Sequence, residues 1–186
     1  MKINHTFYKK AHEKHNTSAK ALHWNSKESQ EKRFEVLINF IKDDLKNSSL
    51  IDAGCGYGHL LDYLKKSNTM PKDYLGIDCE EFMINIAKDN HKNFKFEIID
   101  IVDDNLPLSD YYFCSGAMNI LPQRDVLVFI EKCFHSSQKA FIFNFITNSI
   151  FDVSKKDIIT LCKKLSNNVQ IKENYIENDF SICLKK

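Results

Sequence analysis

The sequence predicts an α/β fold: a doubly wound, mostly parallel sheet of seven strands that ends in an antiparallel hairpin. Three observations carry that prediction. From about residue 30 the apolar periodicity alternates between helical and strand-like segments, and strands separated by helices build a parallel sheet covered on both faces. Three of the chain's five glycines, Gly54, Gly56 and Gly58, stand between the first strand and the helix after it, where such sheets bind ligands. The last two strand-like segments have no helix between them, so they pair as a hairpin.

Each element has its own justification. QEKRFEVLINFIKDDL (30–45) places Phe34, Leu37, Ile38 and Ile41 on one helical face. SLIDAG (49–54) is a short buried strand, and HLLDYLKK (59–66) a helix that starts right after the glycines. YLGID (74–78) is the second strand, followed by the helix EEFMINIAK (80–88), and KFEIID (95–100) is the third strand. YYFCSGA (111–117) is the fourth strand. The helix after it begins near Pro122 and carries Val126, Val128, Phe129 and Phe134; proline suits a first turn, where amides lack helical partners. KAFIFNFI (139–146) is the fifth strand, and SKKDIITLCKKLS (154–166) is a helix with Ser154 as its N-cap. NVQIKENYI (168–176) and DFSICLKK (179–186) close the chain through a tight turn at Glu177–Asn178.

A chain of 186 residues is most simply one domain, able to bury about 70% of the surface its unfolded form exposes. Lysines and arginines number 26 against 25 acids, a net charge of +1. No global field holds a polyanion, and nucleic acid is not expected as a partner. The exception is local: residues 1–27 hold six lysines against Glu13 alone, with His5, His12, His15 and His23 among them. Residues 1–29 therefore form a basic arm ahead of the 30–186 domain, either a solvated extension or a lid that meets an anionic substrate. No acid or cysteine at ligand spacing completes His5, His12 and His15, so no metal is expected.

The six cysteines are scattered without a C-x-x-C pair, which fits buried thiols in a reducing compartment. The first residues lack the apolar core of a signal peptide. The longest apolar run, AFIFNFI, is far short of the ~20 residues of a membrane span. A cytoplasmic protein with no membrane partner is expected.

Gly76 and Gly116 complete the glycines, and Gly116 ends the fourth strand as the first three follow the first. Strands one and four flank the crevice where an open sheet reverses its order. A dinucleotide loop reads G-x-G-x-x-G around a pyrophosphate; here His59 stands where its third glycine would. Asp52 also precedes the loop, poorly placed for pyrophosphate but suited to a ligand carrying an ammonium and a sulfonium. S-adenosylmethionine (SAM) is favoured over NAD.

The chain resembles the class I SAM-dependent methyltransferases from about residue 30 to its C-terminus. IDAGCGYG (51–58) is similar to their first motif, the loop around the methionine part of SAM, which implies Asp52, Gly54, Cys55 and Gly56 as contacts. YLGIDCEEFMINIAK (74–88) resembles the second-strand segment. There Asp78, followed by Cys79, would take the ribose hydroxyls, and Met83 would pack on the adenine. FEIIDIVDDNLP (96–107) resembles the third, with Asp100 on the adenine amino group and the Ile101 amide at the ring. DYYFCSGAMNIL (110–121) resembles the fourth, whose Cys114, Ser115 and Gly116 would close over the methyl end. LHWNSKESQEKRFEVL (22–37) is similar to a segment preceding the first motif in stand-alone bacterial members. That likeness implies Arg33 on the cofactor's carboxylate and Trp24 over the pocket; the alternatives are an Arg33 solvated beside a glutamate and a Trp24 in plain packing. The resemblance implies a Rossmann-like sheet of order 3-2-1-4-5-7-6, with strand seven antiparallel.

Methyl transfer is an in-line displacement with a good leaving group, so alignment and exclusion of water matter most. No catalytic residue is assigned; His59, His91, Asp110, Asn119 and Asp125 are candidates near strand ends or loops. The fourth-strand loop lacks the Asn/Asp-Pro-Pro-aromatic sequence common in enzymes that act on base or glutamine nitrogens. It also lacks the Pro-Cys pair of cytosine-C5 enzymes, and Cys114 reads as a small buried residue. By elimination a small-molecule acceptor is expected. The competing readings are a silent SAM-binding subunit of a partner enzyme, a nicotinamide-dependent reductase, and an RNA methyltransferase using the basic arm. Oligomeric state is not legible.

Overall fold

The structure, a computed structural model, describes residues 26–147 and 149–186. The expectations for Trp24, for the arm's four histidines and for residues 1–25 as a whole fall outside the described residues.

Helix α1 (Lys27–Asn39) starts where Ser26 and Ser29 cap each other: the Ser26 hydroxyl accepts from the Ser29 amide, and the Ser29 hydroxyl accepts from the Ser26 amide. Such a box satisfies amides that have no helical partner. The helix thus begins three residues before the expected boundary at 30. It also ends earlier. The amides of Phe40 and Ile41 turn to Leu37 and Ile38, and a separate turn, α2 (Lys42–Leu45), follows. Ile41 and Leu45 are both buried across this break.

Strand β1 (Ser49–Ala53) leads through the glycines into α3 (His59–Lys66), then β2 (Asp73–Asp78), α4 (Glu81–Asn90), β3 (Lys95–Ile98) and β4 (Ser109–Ser115). A 3-10 turn (Ala117–Ile120), α5 (Gln123–Ser136), β5 (Ser137–Ile146), α6 (Lys155–Leu165), β6 (Asn168–Glu173) and β7 (Asp179–Lys185) complete the chain. Pro122 is the N-cap of α5 rather than a residue of its first turn. Ser154 caps α6 as expected, accepting from the Asp157 amide. The sheet order is β3-β2-β1-β4-β5-β7-β6, parallel except that β7 runs antiparallel to both its neighbours. The seven-stranded Rossmann-like sheet expected from the sequence is present in that order.

Side chains alternate across the strands. On one face Ile51, Ala53, Tyr112, Phe141, Phe143 and Ile182 meet Val126, Phe129, Ile130 and Cys133 of α5 and Ile158 and Cys162 of α6. On the other, Leu50, Phe113, Ile142 and Cys183 meet Phe34, Leu37 and Ile38 of α1 and Leu60, Leu61 and Leu64 of α3. Each large apolar side chain buried this way contributes about 1.5–3 kcal/mol relative to exposure. The two layers hold the carboxyl ends of β1, β4 and β5 side by side.

Two turns differ from expectation. β3 stops at Ile98, so Asp100 lies in a turn rather than ending the strand. Its Oδ1 accepts from the Val102 amide, while the Asp104 amide donates to its carbonyl, and this local pattern replaces the ladder. The link between β6 and β7 is five residues, Asn174–Asn178, not a tight pair. Asn174 and Asn178 adopt φ 62° and 64°, which asparagine tolerates, and the Tyr175 hydroxyl bonds to Ser181.

Candidate functional site

The turn after β1 takes its shape from three left-handed residues: Gly54, Gly56 and Gly58 have φ of 79°, 53° and 85°. A side chain in that region costs about 1–2 kcal/mol. A Cβ on Gly54 would lie 2.2 Å from the Ala117 Cβ, so this glycine also lets the β1 and β4 loops touch. Gly116, at φ 82°, starts the 3-10 turn on the β4 side. The amides of Gly54 and Cys55 both donate to the carbonyl of Ile77, at 2.8 and 3.0 Å. The loop is thereby tied to β2.

Asp78 ends β2 and links the same pieces. Its Oδ2 accepts from the Gly56 amide and its Oδ1 from the Glu80 amide, both at 2.9 Å. Burial raises its carboxyl to about 6, against the pull of those amides. Asp52 lies deeper, 3% exposed, and accepts from the Tyr74 hydroxyl at 2.9 Å. Burial is the main reason its carboxyl rises to about 7; the charge of Asp78 adds to the rise and the tyrosine opposes it. A cation brought to this end of the sheet would meet two carboxyls that gain from ionising beside it.

The remaining expected residues surround this pair in different ways. Cys79 is exposed right after Asp78. Met83, on α4, is buried against Tyr57. Asp100 presents its carboxylate from the turn described above, and the Ile101 side chain anchors that turn in the core. Cys55 and Cys114 are buried, and burial pushes both thiols well above their ordinary range. Ser115 ends β4 and Gly116 follows it, beside the glycine loop.

Arg33 is buried at 5% exposure, not solvated. Its guanidinium donates to both carboxylate oxygens of Asp179, the first residue of β7, and to the Ser29 carbonyl. Asn144, in β5, donates its Nδ2 to Asp179 Oδ1 at 2.9 Å. Sequence reasoning missed both Asp179 and Asn144, although one polar residue inside the apolar run FIFNFI was a visible sign. It also missed Tyr74. Among the described residues, two buried polar side-chain atoms have no partner: Ser115 Oγ and Asn144 Oδ1.

The candidate acid–base residues separate by position. Asp110 sits at the start of β4, at the far end of the strand, with Ser49 and Lys139. Asn119 caps the end of β5 by accepting from the Ile146 amide. His59 bonds to Gln30, and His91 stacks on Phe96 under α4, where burial lowers its pKa. Asp125 is in the first turn of α5. No group of three metal-ligating side chains occurs among the described residues.

A family described as "Methyltransferase domain" matches residues 44–183, most of the chain and every strand from β1 onward. The chain belongs to that family. This methyltransferase is 31% identical over 163 residues to the candidate methyltransferase Rv1506c of Mycobacterium tuberculosis, covering 74% of its own chain and 93% of the relative. It is 36% identical over 62 residues to candidate methyltransferase 235L of Invertebrate iridescent virus 6, covering 32% of its own length and 22% of the viral protein. Among solved structures it is similar to magnesium protoporphyrin IX methyltransferase from Synechocystis with bound SAM. That match has a TM-score of 0.69 and 14% identity, over 84% of this chain and 79% of the other. A TehB-like SAM-dependent methyltransferase from Corynebacterium glutamicum gives 0.67 and 18%, over 84% and 88%. Family and sheet order together make the protein a class I SAM-dependent methyltransferase, as the motifs implied. The cofactor fits what is present: a left-handed glycine loop, a carboxyl at the end of β2, and a second carboxyl buried beneath them. Among the described residues no helix is long and apolar enough to cross a membrane.

Proposed function

We propose that the protein transfers the methyl group of SAM to a small-molecule acceptor by in-line displacement. One observation carries the donor half: the carboxyl that would hold the ribose, Asp78, also holds the Gly56 amide of the glycine loop. Sugar and methionine ends would then be positioned by one connected unit. Each Asp78 oxygen already accepts one amide and retains lone-pair capacity for a hydroxyl. When bound, SAM supplies an electrophilic methyl whose bond to sulfur breaks as the acceptor's lone pair forms the new bond.

The chain's own residues have simpler duties. Asp52 and Asp78 hold negative charge near the cationic donor, Gly54 brings the β1 loop against the β4 loop, and Ser115 with Gly116 borders the methyl end. Met83 would supply the apolar wall for the adenine, with Asp100 and the Ile101 amide at its edge, and Cys55, Cys79 and Cys114 would add contacts. A role for Arg33 at the cofactor's carboxylate would have to be shared with Asp179.

Support for a small acceptor comes from the β4 loop, where Cys114-Ser115-Gly116-Ala117 carries no clamp for a nucleic-acid base. The Synechocystis relative is named for a small-molecule substrate, a magnesium porphyrin.

The test is calorimetry with SAM, its demethylated product and NADH, followed by an acceptor screen for released product. Asp78→Ala is expected to weaken SAM binding by about 1–3 kcal/mol through loss of charge-assisted hydrogen bonds. Unchanged affinity in the folded variant, or preference for NADH, removes this reading.

A further inference from the structure

Ser115 and Asn144 are paired neighbours on the parallel strands β4 and β5. Each lies two residues beyond a buried pair, Phe113 and Ile142, that packs on the α1 layer, so both side chains leave the sheet on that face. Ser115 Oγ and Asn144 Oδ1 are the two orphaned buried atoms noted above. A native interior rarely leaves such atoms unmatched.

The amide orientation of Asn144 is fixed chemically. Asp179 is held by a guanidinium and can only accept, so the Asn144 group facing it is the donating nitrogen. The carbonyl oxygen must therefore point elsewhere. It is an acceptor with no donor, anchored from behind by the Arg33–Asp179 pair, on the strand next to the one that borders the donor's methyl end.

We infer that Asn144 Oδ1, together with Ser115 Oγ, receives the reacting group of the acceptor, and that this group is an N–H or O–H donor: an amine or a hydroxyl. The inference rests on the methyl-donor reading and extends it to the other substrate. In the transfer, the acceptor atom gives its lone pair to the methyl carbon, sulfur keeps the pair of the broken bond, and the acceptor's proton passes to water. Asn144 directs the hydrogen toward itself, which turns the lone pair toward the donor. Carboxylate acceptors, which bring no hydrogen, would face an unmatched carbonyl oxygen, and a site built to bond N–H or O–H rejects analogues lacking it.

The experiment measures release of the demethylated product from the full chain with SAM and two matched sets of small aromatic and aliphatic compounds. One set carries amines and hydroxyls, the other carboxylates. Turnover confined to the first set is expected. For the best acceptor, Asn144→Ala and, separately, Ser115→Ala should raise acceptor KM at least about tenfold, and for Asn144→Ala SAM affinity by calorimetry should stay within about twofold of the parent. Ser115→Ala removes only an unpaired hydroxyl, so it tests the idea even if Asn144→Ala does not fold. Turnover in the carboxylate set, no turnover in either set, or variant kinetics equal to the parent overturns the inference. Loss of SAM binding by the parent would instead sink the donor reading, a different result.

Discussion

The two halves of the sheet's carboxyl end are built on different physics. On the β1–β2–β3 side, backbone does most of the positioning: left-handed glycines shape the loop, and amides of Gly56, Glu80 and Val102 hold Asp78 and Asp100, with the Tyr74–Asp52 bond as the side-chain exception. On the β4–β5–β7 side, side chains hold side chains: Arg33 to Asp179, Asp179 to Asn144, Tyr175 to Ser181. A donor of fixed shape can be gripped by main chain, whose geometry tolerates changes in side chain. The half with the glycine loop should therefore fail through conformation, and the half with the Arg33–Asp179 pair through unpaired charge.

The largest effect is expected on the side-chain half. Arg33→Ala leaves Asp179 buried without its cation, and breaking such a pair costs about 3–5 kcal/mol. Urea unfolding of the variant against the parent measures it. Replacing both partners by apolar residues, Arg33→Met with Asp179→Leu, should recover much of that loss, because no charge is then stranded. A single Arg33→Ala cost near zero would mean that the pair is solvated, and the contrast between the halves would be lost.

The backbone half should yield somewhat less. Gly54→Ala forces a side chain into φ 79° and drives a Cβ to 2.2 Å from Ala117. Left-handed strain and overpacking together imply a loss of about 2–4 kcal/mol. Gly54→Ala with Ala117→Gly removes the clash but not the strain, so it should restore only part of the loss. Full restoration would show that the conformation is not under constraint, contrary to the picture of a loop shaped by its backbone.

The same contrast explains what the sequence revealed. Gly54, Gly56 and Gly58 were readable because a left-handed backbone favours glycine, and Asp78 was singled out through the family likeness. The sheet order was readable through the family likeness, with the final hairpin read independently. Arg33 was noticed, but its partner is 146 residues away, and no local pattern encodes such a pairing. Asn144 interrupts an apolar strand, yet only the neighbouring Asp179 tells which end of its amide points where. The break after α1 and the five-residue link before β7 were missed for a related reason. The first is a local tightening at the Phe40 and Ile41 amides and the second is held by the Tyr175–Ser181 hydrogen bond, and neither follows from helix or turn propensity.

The smallest effect concerns protons on the donor side. Asp52 has its folded pKa raised to about 7, against about 3.9 in an unfolded chain. Between those values the folded protein holds a proton that the unfolded chain has released. This group's stabilisation is therefore complete below about pH 4 and fades as pH rises through about 7. Between pH 5.5 and 7.5 the loss amounts to about 1–2 kcal/mol. His91 acts in the opposite sense, since burial lowers its pKa and folding then favours higher pH. Both proteins share that group when the parent is compared with Asp52→Asn, so it cancels. Urea unfolding at the two pH values should show the parent losing stability relative to the variant as pH rises. Parallel profiles would mean that Asp52 titrates in the ordinary carboxylate range and is better solvated than its 3% exposure implies. With SAM present, a cation near Asp52 and Asp78 favours their ionised forms, so binding at pH 6.5 should release protons, measured by calorimetry in two buffers of different ionisation heat. Proton uptake on binding would place the donor's positive charge away from this pair of carboxyls.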